Sequence, residues 1–364
     1  MTNREQEILT LLKTNPMISQ NALADALHIT RSSVAVHITN LMKKGYILGK
    51  GYILKSERYV CVIGGSNVDI QGSPRDTLIP RDSNIGDVKI SLGGVGRNIA
   101  ENLQRLGVET SLISVVGDDA YGQKILEESR LIGLNMMDTL VLHGAMSSVY
   151  LCILDDRKDM ALAVSSMDIY DSMTVNFIKS KRHVIENAAL CILDTNVPAD
   201  VLEYVLSTFR STPFFLDPVS TGKSKKVADL IGRFHTIKPN RLEAEILSGV
   251  AIQNDGDLQR AADVFHEKGV AQVFISLGRD GVFCSTPDGH EHIKAPDVAI
   301  VNATGAGDAF MAALALGYLR DMDAFQSARL GSAAAAIALA HENTINPTMS
   351  ADNLFNKAKE LGLC

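Results

Sequence analysis

The sequence lacks any closely spaced pair of cysteines. Its five cysteines, Cys61, Cys152, Cys191, Cys284 and Cys364, lie far apart with no CxxC or Cys/His metal spacing, and four of them sit in apolar runs. That distribution points to buried thiols in a reducing compartment rather than to disulfides or a zinc site. Long hydrophobic runs are also missing. Glycines and charged residues interrupt every apolar stretch well short of the roughly 20 residues of a membrane span. The N-terminus is polar, without the basic-then-apolar order of a secretion signal, so the expected location is the cytoplasm, with no membrane partner. Two common nucleotide-loop signatures are absent as well. VNATGAGDAF (Val301–Phe310) has no Lys-Ser/Thr pair after its glycines, which excludes a Walker A loop, and IGGSNV (Ile63–Val68) lacks the third glycine of a dinucleotide fingerprint.

What is present divides unevenly. The 364 residues carry a net charge of −7, yet residues 1 to 58 hold eight Lys/Arg against four Asp/Glu, a basic head on an acidic body. In that head, REQEILTLLKTNP places Ile8, Leu9, Leu11 and Leu12 at helical spacing. SQNALADALHI predicts a short helix capped by Ser19, with Leu23, Leu27 and Ile29 inward, and a third helix starts at Thr30 with Val34, Val36, Ile38 and Leu41 as its apolar positions. Two short, tightly joined helices followed by YILGKGYILK, a β-like pair around Lys50, fit a helix-turn-helix with a wing. The head, residues 1–57, resembles the winged helix-turn-helix domains of bacterial transcriptional regulators. Its candidate DNA contacts are Arg31, Ser32, His37 and Lys50. A small bundle that packs on the body or mediates assembly fits the same pattern.

From Arg58 onward, short apolar runs ending in Gly or Asp (YVCVIGG, TSLISVVGDD, ALCILDT, TPFFLDP, AQVFISLG) alternate with helix-like segments. This pattern predicts an α/β fold with a parallel sheet covered on both faces and ligands at the C-terminal ends of its strands. DVKISLGG, SSVYLCILDD and MALAVSSM leave no room for crossover helices. They predict a small antiparallel flap over the site, with strands around 86–93 and 145–165.

In VNATGAGDAF, Gly305, Ala306 and Gly307 leave amide groups uncovered at a helix start, where an anion is favoured, and Asp308 stands in the first turn. That position keeps a carboxylate ionised and suits a base that deprotonates an attacking hydroxyl; a plain N-terminal cap also satisfies it. LGGVGRN would let a molecule approach the backbone at Gly93, Gly94 and Gly96, with Asn98 either capping the helix or binding hydroxyls. Asp69, near Asn67 at the end of the first body strand, is placed for two sugar hydroxyls or for a turn cap. Asn240 and Glu243 in PNRLE are spaced either to position Mg²⁺ through water or to form a capping box. Ser276 to Gly281 is a glycine-bearing turn that lies along a nucleotide or closes a hairpin.

The order GG-x-G-x-N, N-x-x-E, G-A-G-D over residues 58–364 resembles the ribokinase-like (PfkB) carbohydrate and nucleoside kinases. The resemblance implies a three-layer α/β sandwich with a small β lid, and transfer of phosphate from ATP with Mg²⁺. It implies Asp308 as base and Gly305, Ala306 and Gly307 as the anion hole. Asn67, Asp69, Gly94, Asn98 and Ser148 would lie on the sugar, Asn240 and Glu243 around the magnesium, and Ser276, Gly278, Gly281 and Asn343 along the nucleotide. Relatives often carry Asp-Thr-Thr before the glycine turn and use a monovalent cation; Asn302 stands here in place of that aspartate. Arg97 stands where the ribose enzyme has Ala, free to approach the flap or a phosphate or to project from the helix into open space. GG-x-G-R-N together with MDIYDSMT is most similar to the pseudouridine kinases, with Asp168 beside Met167 as a substrate contact. A nucleoside or sugar substrate, a homodimer and DNA at the head are the expected partners.

Overall fold

The computed structural model describes residues 1–15, 18–47 and 58–363. The wing expected at 46–55, with Lys50, lies largely outside them, as does Cys364. Two compact units result, Met1–Glu57 and Arg58–Cys364.

The head consists of helices Asn3–Thr14, Gln20–Leu27 and Arg31–Lys43. Ser19 and Thr30 cap the second and third by accepting the amides of Ala22 and Ser33, both at 3.1 Å. His28 takes a left-handed conformation (φ 52°) and turns the chain between them. Val34, Ile38 and Leu41 share one helical face and pack on Ile8, Leu12 and Leu23. Val36 falls on the opposite face and is 59% exposed.

The body has fourteen strands: β1 Val60–Ile63, β2 Asn67–Pro74, β3 Gly86–Gly93, β4 Thr110–Ile113, β5 Val115–Gly117, β6 Leu140–Leu142, β7 Val149–Leu154, β8 Met160–Ser166, β9 Leu190–Asp194, β10 Phe214–Asp217, β11 Thr236–Ile237, β12 Gln272–Ser276, β13 Val282–Thr286 and β14 Gly289–Ile293. Eight form the main sheet in the order β14-β13-β12-β11-β10-β9-β1-β4. It is parallel from β4 to β12, and the β13 and β14 hairpin closes one edge antiparallel.

Strand alternation builds the layers. Val60, Val62, Leu190, Ile192, Phe215 and Phe274 pack with helices Val95–Arg105, Ala306–Leu319 and Ala324–Leu339. Their neighbours Cys61, Ile63, Cys191, Leu193, Leu216 and Ile275 pack on the other side with Ala199–Thr208 and Asp255–Lys268. The result is an α/β three-layer sandwich.

The lid is a separate four-stranded sheet in the order β3-β2-β7-β8. Two expectations change here. The apolar run at 59–70 is not one strand: the chain bends at Gly64–Ser66, so Asp69 belongs to β2 in the lid. The lid is also mixed rather than antiparallel, because β2 and β7 pair in parallel. Residues 75–148 between them, β3 through β6, supply the long crossover that such a pair needs.

Candidate active site

The ends of β1, β9, β10 and β11 converge with the starts of two helices. Asp194, fully buried at the end of β9, is the junction. Its Oδ2 accepts the amides of Gly65 (2.8 Å) and Gly96 (2.7 Å), and its Oδ1 that of Asn196 (2.7 Å). The glycines around it serve this packing. A Cβ on Gly94, whose φ is +94°, would stand 2.4 Å from the Gly65 carbonyl oxygen; one on Gly96 would stand 2.8 Å from the Gly64 Cα. Gly93 is filled likewise by the Asp69 carboxylate. Gly94 and Gly96 thus let backbone meet backbone, and Gly93 makes room for the Asp69 carboxylate.

Asn98 does not cap its helix. It stands one turn in, and its Nδ2 donates to Asp308 Oδ2 at 2.8 Å. Its own Oδ1 is buried without a partner, as is the hydroxyl of Ser66. Buried acceptors and hydroxyls left unpaired are costly, and at the mouth of a site they mark where a polar ligand completes the bonding.

Asp308 occupies the first turn of Ala306–Leu319 and is buried. Burial lifts its pKa to about 8, Asp217 adds to the rise, and Asn98 and Lys238 oppose it. The expectation of a carboxylate held ionised by the helix start is therefore corrected: burial, with Asp217, outweighs Asn98 and Lys238 here. The glycine turn itself is tight at one end and open at the other. Gly305 (φ +85°) lies against the Thr344 carbonyl, 2.1 Å from where a Cβ would sit, whereas Gly307 meets only the Lys238 ammonium at 3.2 Å. Lys238 is buried and pairs with Asp217 at 3.1 Å. Burial opposes its charge, but Asp217, Asp308 and Glu243 together raise its pKa.

In the lid, the Asn67 amide donates to Asp69 Oδ1 at 2.5 Å. Burial carries the Asp69 pKa up to about 6 against that bond. Tyr170 OH donates to the Ser66 carbonyl at 2.6 Å. Asp168 is exposed, and no contact joins it to this group. Arg97 neither reaches the flap nor faces open space; it is buried and pairs with Glu101 at 2.9 Å.

On the nucleotide side, Asn240 and Glu243 do form the capping box, each side chain accepting the other's backbone amide at 2.9 Å. The Ser276 amide donates to the Pro239 carbonyl at 2.9 Å. The Gly278–Asp280 turn closes the β12 and β13 hairpin. A Cβ on Gly281 (φ +97°) would stand 2.1 Å from the Ile293 carbonyl, whereas Gly278 faces open space. Asn343 accepts from Lys89 of the lid strand β3 at 3.1 Å. Asn302 donates to the Glu342 carbonyl (3.0 Å) and accepts the Thr304 amide (2.9 Å). In the head, Arg31 and Ser32 are exposed on the third helix and His37 is half-buried on it.

A family model described as pfkB family carbohydrate kinase matches residues 57–351. The chain belongs to the pfkB family of carbohydrate kinases. It is an ATP-dependent kinase acting on a sugar or nucleoside hydroxyl, with ATP and Mg²⁺ as cofactors. A second model, winged helix-turn-helix DNA-binding, matches residues 1–47. The chain is 42% identical over 98% of its length to an uncharacterized sugar kinase of Escherichia coli (strain K12), covering 99% of that protein. It is 37% identical to the pseudouridine kinase of the same organism, covering 83% of this chain and 97% of that one. The structure of Arabidopsis thaliana ribokinase complexed with ribose and ATP shares the fold, with a TM-score of 0.74 at 19% identity, over 84% of this chain and 99% of that one.

The geometry of this pfkB kinase fits ATP. An open glycine turn at a helix start beside a buried ammonium suits a phosphate chain. Among the described residues no three His, Cys, Asp or Glu side chains gather into a metal cage. Sequence reasoning missed Asp194, Asp217, Lys238 and Tyr170. The first three stand where the apolar runs CILD, FFLD and HTIK end, a signal that strand ends could have supplied. Among the described residues, no helix is long and apolar enough to cross a membrane.

Proposed function

We propose that this kinase phosphorylates the 5′-hydroxyl of a ribosyl compound, with pseudouridine as the first substrate to test. The observation that carries the reading is the meeting of Asn98, Asp308 and Lys238 at the open end of the glycine turn. The relative named for pseudouridine supports the choice of nucleoside. The broader reading, another nucleoside (inosine, guanosine) or a free sugar (ribose, fructose), has the stronger backing, because the relative matched along nearly the whole chain is named for a sugar. A panel of pseudouridine, uridine, inosine, ribose and fructose with Mg-ATP tests it. A kcat/KM highest for pseudouridine supports the narrow name, and one highest for ribose or fructose replaces it.

In this proposal Asn67, Asp69, Asn98 and Ser148 hold the ribosyl hydroxyls, Gly94 shapes the turn beneath them, and Asp168 borders the substrate at the lid. Asp308 takes the proton from the 5′-hydroxyl as its oxygen attacks the γ-phosphorus, and the bond from γ-phosphorus to the bridging oxygen breaks to release ADP. The amides of Gly305, Ala306 and Gly307, with Lys238, stabilise the transferred charge. Asn240 and Glu243 would hold Mg²⁺ through water, and the ion would supply positive charge to the phosphates when bound. Ser276, Gly278, Gly281 and Asn343 border the nucleotide, and the lid excludes water.

A base must be ionised to work, and the Asp308 pKa stands near 8. The kcat/KM is therefore expected to climb with pH and level off above about 8; a profile flat from about pH 6 to 9 would contradict the assignment.

DNA binding by the head is proposed on the exposed Arg31 and Ser32 of the third helix, with His37 alongside, and on Lys50, which lies outside the described residues. Mobility shifts with operator-containing fragments are expected to weaken steeply with salt; no specific shift at low salt removes this part. A homodimer is proposed on the lid sheet, where register aligns the exposed Val88, Ile90, Leu151, Leu162 and Val164 on one face. Light scattering gives the mass.

A further inference from the structure

Lys238 is explained by phosphoryl transfer, but Lys223 is not. The charges acting on Lys238 are Asp217, Asp308 and Glu243. Lys238 pairs with Asp217 at 3.1 Å, whereas Lys223 is held by Asn196. Lys223 Nζ donates to Asn196 Oδ1 at 2.5 Å and reaches Met167 Sδ at 3.3 Å. Asn196 is buried, and its Nδ2 stands 2.7 Å from where a Cβ on Gly65 would be; Tyr170 OH stands 3.1 Å from the same point. Gly65 leads directly into Ser66, Asn67 and Asp69. Lys223 thus borders the ribosyl residues on the side of Met167 and Tyr170, where the lid strand β8 returns to the body.

The chemistry of this ammonium is incomplete. It is half-buried, and among the described residues no carboxylate forms an ion pair with it. An ammonium has three N–H donors. One is taken by Asn196, and a thioether is a weak acceptor for a second. Burial lowers its pKa, as expected for a charge without a full set of partners. A neutral oxygen acceptor of the substrate would complete the set without a second charge.

We propose that Lys223, steered by Asn196, is a specificity-determining residue that donates a hydrogen bond to a ring carbonyl of the substrate's base. This rests on the nucleoside reading above, since a free sugar has no base. Met167 supplies the apolar wall beside the ring, and Tyr170 fixes the Ser66 backbone beneath it.

The test compares pseudouridine with ribofuranosylbenzene, which keeps the C-glycosidic link and the 5′-hydroxyl but has no carbonyl. Its readout is the ratio of the two kcat/KM values with Mg-ATP. Wild type is expected to prefer pseudouridine by about tenfold or more, the effect of one charge-assisted hydrogen bond. Lys223→Met should reduce that preference to within about threefold, and Lys223→Arg should restore part of it. Lys223→Gln replaces the methionine variant if the latter melts below assay temperature. If wild type uses pseudouridine and either neutral variant keeps the wild-type preference, the Lys223 assignment is overturned and the nucleoside reading stands. A wild type that does not discriminate between the two compounds also overturns the assignment. If wild type phosphorylates neither compound but accepts a free sugar, the nucleoside reading falls and the base contact with it.

Discussion

Asp308→Asn is expected to lower kcat by at least about 100-fold while the protein stays folded. The amide keeps the shape of the carboxyl and its contact with Asn98, so ATP and substrate should still bind; only the proton acceptor is gone. The same variant has a signature in stability. The carboxyl pKa is raised from 3.8 to about 8 on folding, first by burial and then by Asp217. A carboxyl raised in this way contributes its full stability below pH 4, and that contribution is lost as pH rises toward about 8. The neutral asparagine carries no such dependence. Relative to wild type, Asp308→Asn should therefore gain stability, on the order of a few kcal/mol, between pH 4 and pH 8. Denaturant melts at the two pH values check it. Near-normal turnover would remove Asp308 from the chemistry, and a pH-independent difference in stability would contradict its buried, protonated resting state.

The second large effect is expected at Lys238→Met. The change leaves Asp217 buried without its 3.1 Å partner, and an uncompensated buried charge costs about 3–5 kcal/mol. Turnover should fall as well, by at least about tenfold, because a positive charge beside Gly307 is lost where phosphoryl charge develops. The two effects separate in the double variant Asp217→Asn, Lys238→Met. Removing both charges should recover most of the stability and none of the turnover. If the double variant regains activity with stability, Lys238 is only a structural partner of Asp217.

The two predictions draw on different kinds of legibility. Asp308 was visible because its turn is local: three small residues, a helix start and a carboxylate are contiguous in VNATGAGDAF. Asn240 and Glu243 were visible for the same reason, although spacing alone left capping and cation binding equivalent, and the structure shows that the capping box does form. Lys238 and Asp217 come from separate strands, and only the parallel pairing of β10 with β11 sets them side by side. The packing partners of the LGGVGRN glycines were not legible. Glycine spacing announces a close approach but not its partner, and here the partners of Gly94 and Gly96 are Gly65 and Gly64. The lid strands were legible from their alternation, while the parallel joint between β2 and β7 was not, since pairing across some eighty residues leaves no local mark. Desolvation of Asp308 was hidden too, because it depends on how many layers close over a residue.

The central claim is that this chain moves the γ-phosphoryl of ATP to a ribosyl 5′-hydroxyl through Asp308. Phosphorus NMR of wild type and Asp308→Asn, each incubated with pseudouridine and Mg-ATP, tests it most directly. The account predicts a 5′-phosphomonoester and ADP appearing in equal amounts with wild type, and almost none of either with the variant. ADP without a phosphomonoester, or equal product from both proteins, would contradict it.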